Sequence, residues 1–145
     1  KGNTYVVRVR AITQRLVGGT PADVAIQGSP GFSAPVKAEG TPETAPGDVA
    51  VAQPEKTTNI RVTWTPPSNA KTEGVTGYKI TWYPTLSTVL GNRGSATVGA
   101  DAKSYDITGL TAIGKEFTVI VAAVNKIGVG AEATAVTHDL TAATK

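Results

Sequence analysis

The chain has 145 residues, with 14 Lys and Arg against 11 Asp and Glu for a net charge of +3. It has no Cys, no Met and a single His, His138, which excludes a disulfide framework, a thiolate zinc site, a cysteine nucleophile, a multi-histidine metal site and a haem held by two side chains. The basic excess is unclustered: Arg8 and Arg10 alternate on one strand with Arg15 beyond them, which is no stripe for a phosphate backbone.

The chain is 40% apolar and 17% charged, and its 16 Gly and nine Pro punctuate short runs rich in Val and Thr. Tyr5, Val7, Val9 and Ala11 alternate with Val6, Arg8 and Arg10, the period of a half-buried strand. A long segment from Thr13 to Pro30 follows, expected as a loop, within which Val24 and Ile26 form a run able to add an edge strand or touch a neighbour. Ile60, Val62 and Trp64 alternate with Arg61, Thr63 and Thr65 and stop at Pro66 and Pro67, which cannot donate to a ladder. Tyr78, Ile80 and Trp82 alternate with Lys79, Thr81 and Tyr83 and stop at Pro84. That phase puts Trp82 on the core face and leaves Tyr83 the more exposed of the two aromatics. Tyr105 and Ile107 make a short strand, and Phe117, Val119, Val121 and Ala123 a longer one. Many short strands without a helical repeat predict an all-β sandwich or barrel.

The chain also repeats itself. Gly2, Tyr5, Val7, Val9 and Ala11 reappear as Gly114, Phe117, Val119, Val121 and Ala123, a spacing of 112; Val36 and Thr41 reappear as Val136 and Thr141, a spacing of 100. The first copy therefore carries about 12 extra residues between the two blocks, in the Thr13 to Pro30 segment.

The second copy resembles a fibronectin type III domain. The resemblance rests on Trp64 followed by Pro66, Gly77 followed by Tyr78, and Leu110, Gly114 and Phe117 at the corner before the sixth strand. Ala123 and Asn125 with Gly128 and Gly130 complete it. It implies an immunoglobulin-like β-sandwich over residues 45–145, with Trp64, Tyr78, Leu110 and Phe117 in the core. Residues 1–44 then represent strands F and G of a preceding domain in a tandem array, with Tyr5 its core aromatic. The Pro-bearing stretch from Thr41 to Asp48 is expected to be a stiff linker. Phe117 departs from the family, which places at this corner a Tyr whose hydroxyl bonds the upstream backbone.

No constellation for catalysis emerges. His138 and Asp139 are adjacent on an expected strand end and point to opposite faces. Asp101, Asp106, Glu116 and Glu132 have no pairing spacing, and no Gly-rich segment leads into a helix. No cofactor is called for. The resemblance implies a non-catalytic extracellular or cell-surface module, a spacer and protein-binding unit of adhesion or matrix. Alternatives are an accessory module of a secreted microbial carbohydrate-active enzyme and a virion or surface-assembly domain. The candidate partner-binding residues are Val24, Ile26, Tyr83, Lys126 and Ile127. Partners are expected to be proteins or neighbouring domains, or another chain complementing the orphan strands, with neither nucleic acid nor membrane insertion involved.

Overall fold

The computed structural model describes residues 2–17, 20–86, 91–137 and 139–143, with the backbone alone described for residues 13–17 and 20–27. The chain divides into two units, Lys1–Glu39 and Gly40–Lys145.

The first unit is one antiparallel ribbon. Strands β1 (Thr4–Tyr5), β2 (Arg8–Val9) and β3 (Ile12–Val17) run out, and β4 (Thr20–Gln27), β5 (Gly31–Phe32) and β6 (Val36–Lys37) run back. Tyr5 faces Val36, Val9 faces Gly31, Ile12 faces Gln27 and Val17 faces Thr20. Between β1 and β2 the ladder is kept by Ser33, whose N–H donates to the Val7 carbonyl at 2.9 Å while its Oγ accepts from the Val7 N–H at 2.9 Å. The segment expected as a long loop is thus mostly ladder. Leu16, Val17, Val24 and Ile26 give it strand propensity, and hydrogen-bonding to its own return strand satisfies a backbone that a structureless loop leaves to water. Two strands leave their side chains uncovered: Tyr5 is 56% exposed, Val7 59% and Val9 66%.

The second unit is a two-sheet sandwich. Strands β7 (Gly47–Ala52), β8 (Ile60–Thr65) and β11 (Ser104–Ile107) form one sheet in the order β11-β8-β7. Strands β9 (Gly77–Pro84), β10 (Gly94–Gly99), β12 (Phe117–Val124) and β13 (Val129–Val136) form the other in the order β10-β9-β12-β13. Every pairing is antiparallel. The alternation of β8 becomes strict burial of Ile60, Val62 and Trp64 against exposure of Arg61, Thr63 and Thr65. Between the sheets these residues meet Tyr78, Ile80, Ile107, Leu110, Phe117, Val119, Val121, Ala123 and Leu140. The Trp64 and Tyr78 rings lie 5.4 Å apart and tilted by 55°, an arrangement aromatic quadrupoles favour.

The loops gather at two poles. At one, the Asn125 side chain ties Gly40 and Glu73 together, so the segment before β7, the β8–β9 loop and the β12–β13 turn converge. At the other, Gln53 binds Thr141, and Leu140 pairs with Gly114 and Lys115. The chain therefore reaches the sandwich at one pole and leaves it at the opposite one.

Candidate functional site

Asn125 is 8% exposed and uses its whole amide. Its Nδ2 donates to the carbonyls of Gly40 (2.8 Å) and Glu73 (3.0 Å), while its Oδ1 accepts from the N–H groups of Ile127 (2.9 Å) and Gly128 (3.2 Å). The turn is closed by reciprocal main-chain bonds between Asn125 and Gly128, so Lys126 and Ile127 stand at its tip, exposed. Beside it the Ala131 N–H donates to the Pro42 carbonyl at 2.9 Å. Gly130 is what allows that approach, since a β-carbon there would overlap Pro42. The turn that presents a charged and an aliphatic side chain is thus fixed by its main chain at the pole where the chain reaches the sandwich.

The other predicted positions are scattered. Tyr83 is half-buried, as Trp82 is: on the central strand β9, Trp82 stands between Gly94 of β10 and Val119 of β12, and Tyr83 stands beside Thr118 of β12. Trp82 packs on the core and meets the Tyr105 ring at 6.1 Å. Val24 and Ile26 sit on β4, far along the first unit's ribbon, and their side chains lie outside the described residues, as does His138. Tyr5, predicted as a core aromatic, is exposed: among the described residues its unit forms only two-stranded ladders, with no second sheet over them. Trp64, Tyr78, Leu110 and Phe117 are all 3% exposed or less. Burial pushes the Tyr78 hydroxyl above its ordinary range.

Three polar devices were not read from the sequence. Arg61 and Asp106 face each other across β8 and β11 and form a bidentate ion pair, Nε to Oδ1 at 2.7 Å and Nη2 to Oδ2 at 2.8 Å. This bonding holds the Asp106 carboxyl below the usual carboxylate range and pushes Arg61 up. Asn92, in the left-handed region at φ 66°, accepts from the Thr111 and Ala112 N–H groups and so fastens the β9–β10 connection to the β11–β12 loop. Gln53 makes four hydrogen bonds, to Thr57 and Thr141, at the far pole. Only register, known once strands are paired, shows Arg61 opposite Asp106. Among the described residues no group of three His, Cys, Asp or Glu side chains could hold a metal ion. A depression of about 210 Å³ beside Val51, Ile60 and Leu140 is smaller than ordinary ligand pockets.

The fibronectin type III domain family matches residues 44–139. The chain belongs to the fibronectin type III family. The fold recurs in the FN1–FN3 domains of chicken CNTN1, with a TM-score of 0.59 at 20% identity over 95% of this chain and 42% of that one. It recurs in the third fibronectin III domain of human KIAA0343 (0.61, 24%, 77% of this chain and 94% of that one). The fn3 domain of the human collagen alpha-1(XX) chain gives 0.55 at 22% identity, over 74% of this chain and 93% of that one. The chain spans less than half the length of the CNTN1 structure. No curated protein matches the sequence. In fibronectin type III terms β7, β8 and β11 are strands A, B and E, and β9, β10, β12 and β13 are C, C′, F and G.

Proposed function

We propose that this protein is a non-catalytic spacer and protein-binding module of a cell-surface or secreted protein. One observation carries the reading: the chain reaches the sandwich beside Gly40 and Asn125 and leaves it beside Gln53 and Thr141, at the opposite pole. Modules with opposed termini join end to end, each adding a strand's length of roughly 25 Å. Residues Thr41, Pro42 and Gly130 fasten the incoming segment to β13, so it joins as a fixed element. The ribbon of the first unit repeats the pattern of β12 and β13, and it fits strands F and G of a preceding module whose other strands cover Tyr5, Val7 and Val9. Similarity to CNTN1 across 95% of the chain supports that assignment. Lys126 and Ile127 are the contact residues this reading favours, because the turn that presents them is held from four directions by one buried amide.

Small-angle scattering from one, two and three copies of residues 36–141 joined head to tail tests the spacer role. The maximum dimension is expected to grow by about 25–35 Å with each copy. A trimer that folds back to the breadth of a dimer overturns it.

A further inference from the structure

The sandwich has four edge strands, and three of them carry a device that discourages further pairing. The β13 edge receives Pro42 at Ala131 and presents Glu132. The β7 ladder is broken by a bulge between Gly47 and Ala50, where Asp48 takes φ 48°. The β11 edge is four residues long and carries the Asp106 ion pair. Shortness, charge, bulges and covering are the ordinary means of closing an edge. Among the described residues the β10 edge has none of them. It runs for six residues, Gly94–Gly99, as Gly-Ser-Ala-Thr-Val-Gly, without charge, proline or bulge, and its pairing with β9 is regular throughout.

We propose that β10 is a self-association edge, pairing antiparallel with β10 of a second copy about a two-fold axis at Thr97. The register follows from the main chain. The Val98 carbonyl faces β9 so closely that a β-carbon at Gly77 would strike it. In an antiparallel strand the N–H and C=O of one residue point to one side and the side alternates. Gly94, Ala96 and Val98 therefore bond β9, and Ser95, Thr97 and Gly99 direct their main-chain groups outward. Pairing of two such edges must set outward residues opposite outward residues. Centring on Thr97 does so, with Thr97 opposite Thr97 and Ser95 opposite Gly99, and four of the six residues (Gly94, Ser95, Ala96 and Gly99) are small. The Gly99 carbonyl already accepts from Ala102 at 3.2 Å, so its N–H is the group offered to Ser95. The same register places exposed Asp101, in the turn after β10, at the end of the second copy's β10 that exposed Arg93 precedes, so opposite charges meet at both ends of the paired edge by symmetry. A one-step shift breaks the main-chain match, and a two-step shift loses the charge pairing. The occupant that the edge's neutrality and its flanking charges fit is thus its own copy, joining two four-stranded sheets into one.

The test is the mass of the full chain in solution over a hundredfold concentration range. Wild type is expected to pass from monomer to dimer. Thr97→Pro removes an outward N–H that β9 does not use, so it is expected to stay folded and monomeric. Arg93→Glu and Asp101→Lys each weaken the dimer about tenfold, and the double variant restores it to within about twofold of wild type. Thr97→Cys forms a disulfide-linked dimer on oxidation, since directly opposed residues lie about 5.5 Å apart, while Thr134→Cys on β13 does not. A wild type that is monomeric throughout overturns the proposal. So does a folded Thr97→Pro variant that still dimerises, the result expected if the exposed ribbon around Tyr5 and Val9 is what associates. Should Thr97→Pro unfold, the charge exchange and the cysteine pair decide, and failure of the double variant to recover overturns the assignment.

Discussion

Two hairpins in this chain are written with the same alternation of apolar residues and meet different fates. Phe117, Val119 and Val121 of β12 are 0% exposed, whereas Tyr5, Val7 and Val9, their counterparts 112 residues earlier, are 56% to 66% exposed. Alternation makes both segments strands and assigns both an apolar face. Burial of that face is supplied only where β8 and β11 lie over it and β9 lies beside it. A strand pattern states a demand for a partner sheet, and the second unit meets it within its own strands.

The largest expected effect breaks this pair apart. Phe117→Ala removes a ring from a sealed core and should lower the unfolding free energy by about 3–5 kcal/mol. Tyr5→Ala should change it by less than about 0.5 kcal/mol, as ordinary surface substitutions do. Urea titration followed by tryptophan fluorescence reads the second unit, to which Trp64 and Trp82 belong, and far-ultraviolet circular dichroism reads the strands of both units. A Tyr5→Ala loss of several kcal/mol means that the ribbon is covered in solution.

The sandwich was legible in the sequence because β8, β9 and β12 pair strong alternation with large residues, and Pro66, Pro67 and Pro84 mark two of their ends. Strands β7 and β10 were not read, because Gly47–Ala52 and Gly94–Gly99 are built of Gly, Ala, Ser, Thr, Asp and Val with little contrast between faces. The β3–β4 extension was read as a loop because the repeat spacing placed about 12 extra residues there, although Leu16, Val17, Val24 and Ile26 give it strand propensity. Lys126 and Ile127 could be placed at a turn from Asn125 and Gly128. That the Asn125 amide holds the turn, the incoming segment and the β8–β9 loop at once depends on contacts 52 and 85 residues away, which no local pattern encodes.

The second prediction sharpens the comparison at the turns. Thr13 stands where the second hairpin has Asn125, and there the first hairpin continues as β3 and β4 instead of turning. Asn125→Ala leaves the Gly40 and Glu73 carbonyls and the Ile127 and Gly128 N–H groups without this partner. It should cost about 2–3 kcal/mol, the penalty of unpairing buried polar groups. Asn125→Asp keeps the acceptor for two N–H groups but turns a carboxylate toward two carbonyls, and it should not recover the loss. An unchanged urea midpoint for either variant removes Asn125 as the organiser of this pole.

A smaller effect makes the two hairpins more alike. The first has Tyr5 where the second has Phe117, and Phe117→Tyr gives the complete unit the corner hydroxyl that its family uses. The variant should gain roughly 1 kcal/mol, one ordinary hydrogen bond. A lowered midpoint shows that the sealed site around Phe117 has no room for the oxygen.

The smallest effect is read as a pH profile and reports on the second unit alone, since the Arg61–Asp106 pair lies on the sheet that the first hairpin lacks. The Asp106 carboxyl is held below its unfolded value by its bonds to Arg61, so the folded state binds fewer protons there than the unfolded chain. The stabilisation is fully present above the unfolded carboxylate value, near pH 4, and disappears as pH falls through the lower folded value. Asp106→Asn should therefore be slightly less stable than wild type at pH 7 and equal to it near pH 2. Both groups are solvent-exposed, so high salt should shrink the difference at pH 7. A gap that widens on acidification reverses the sign required of a depressed carboxylate, and the pair then contributes nothing to the acid sensitivity of this sandwich.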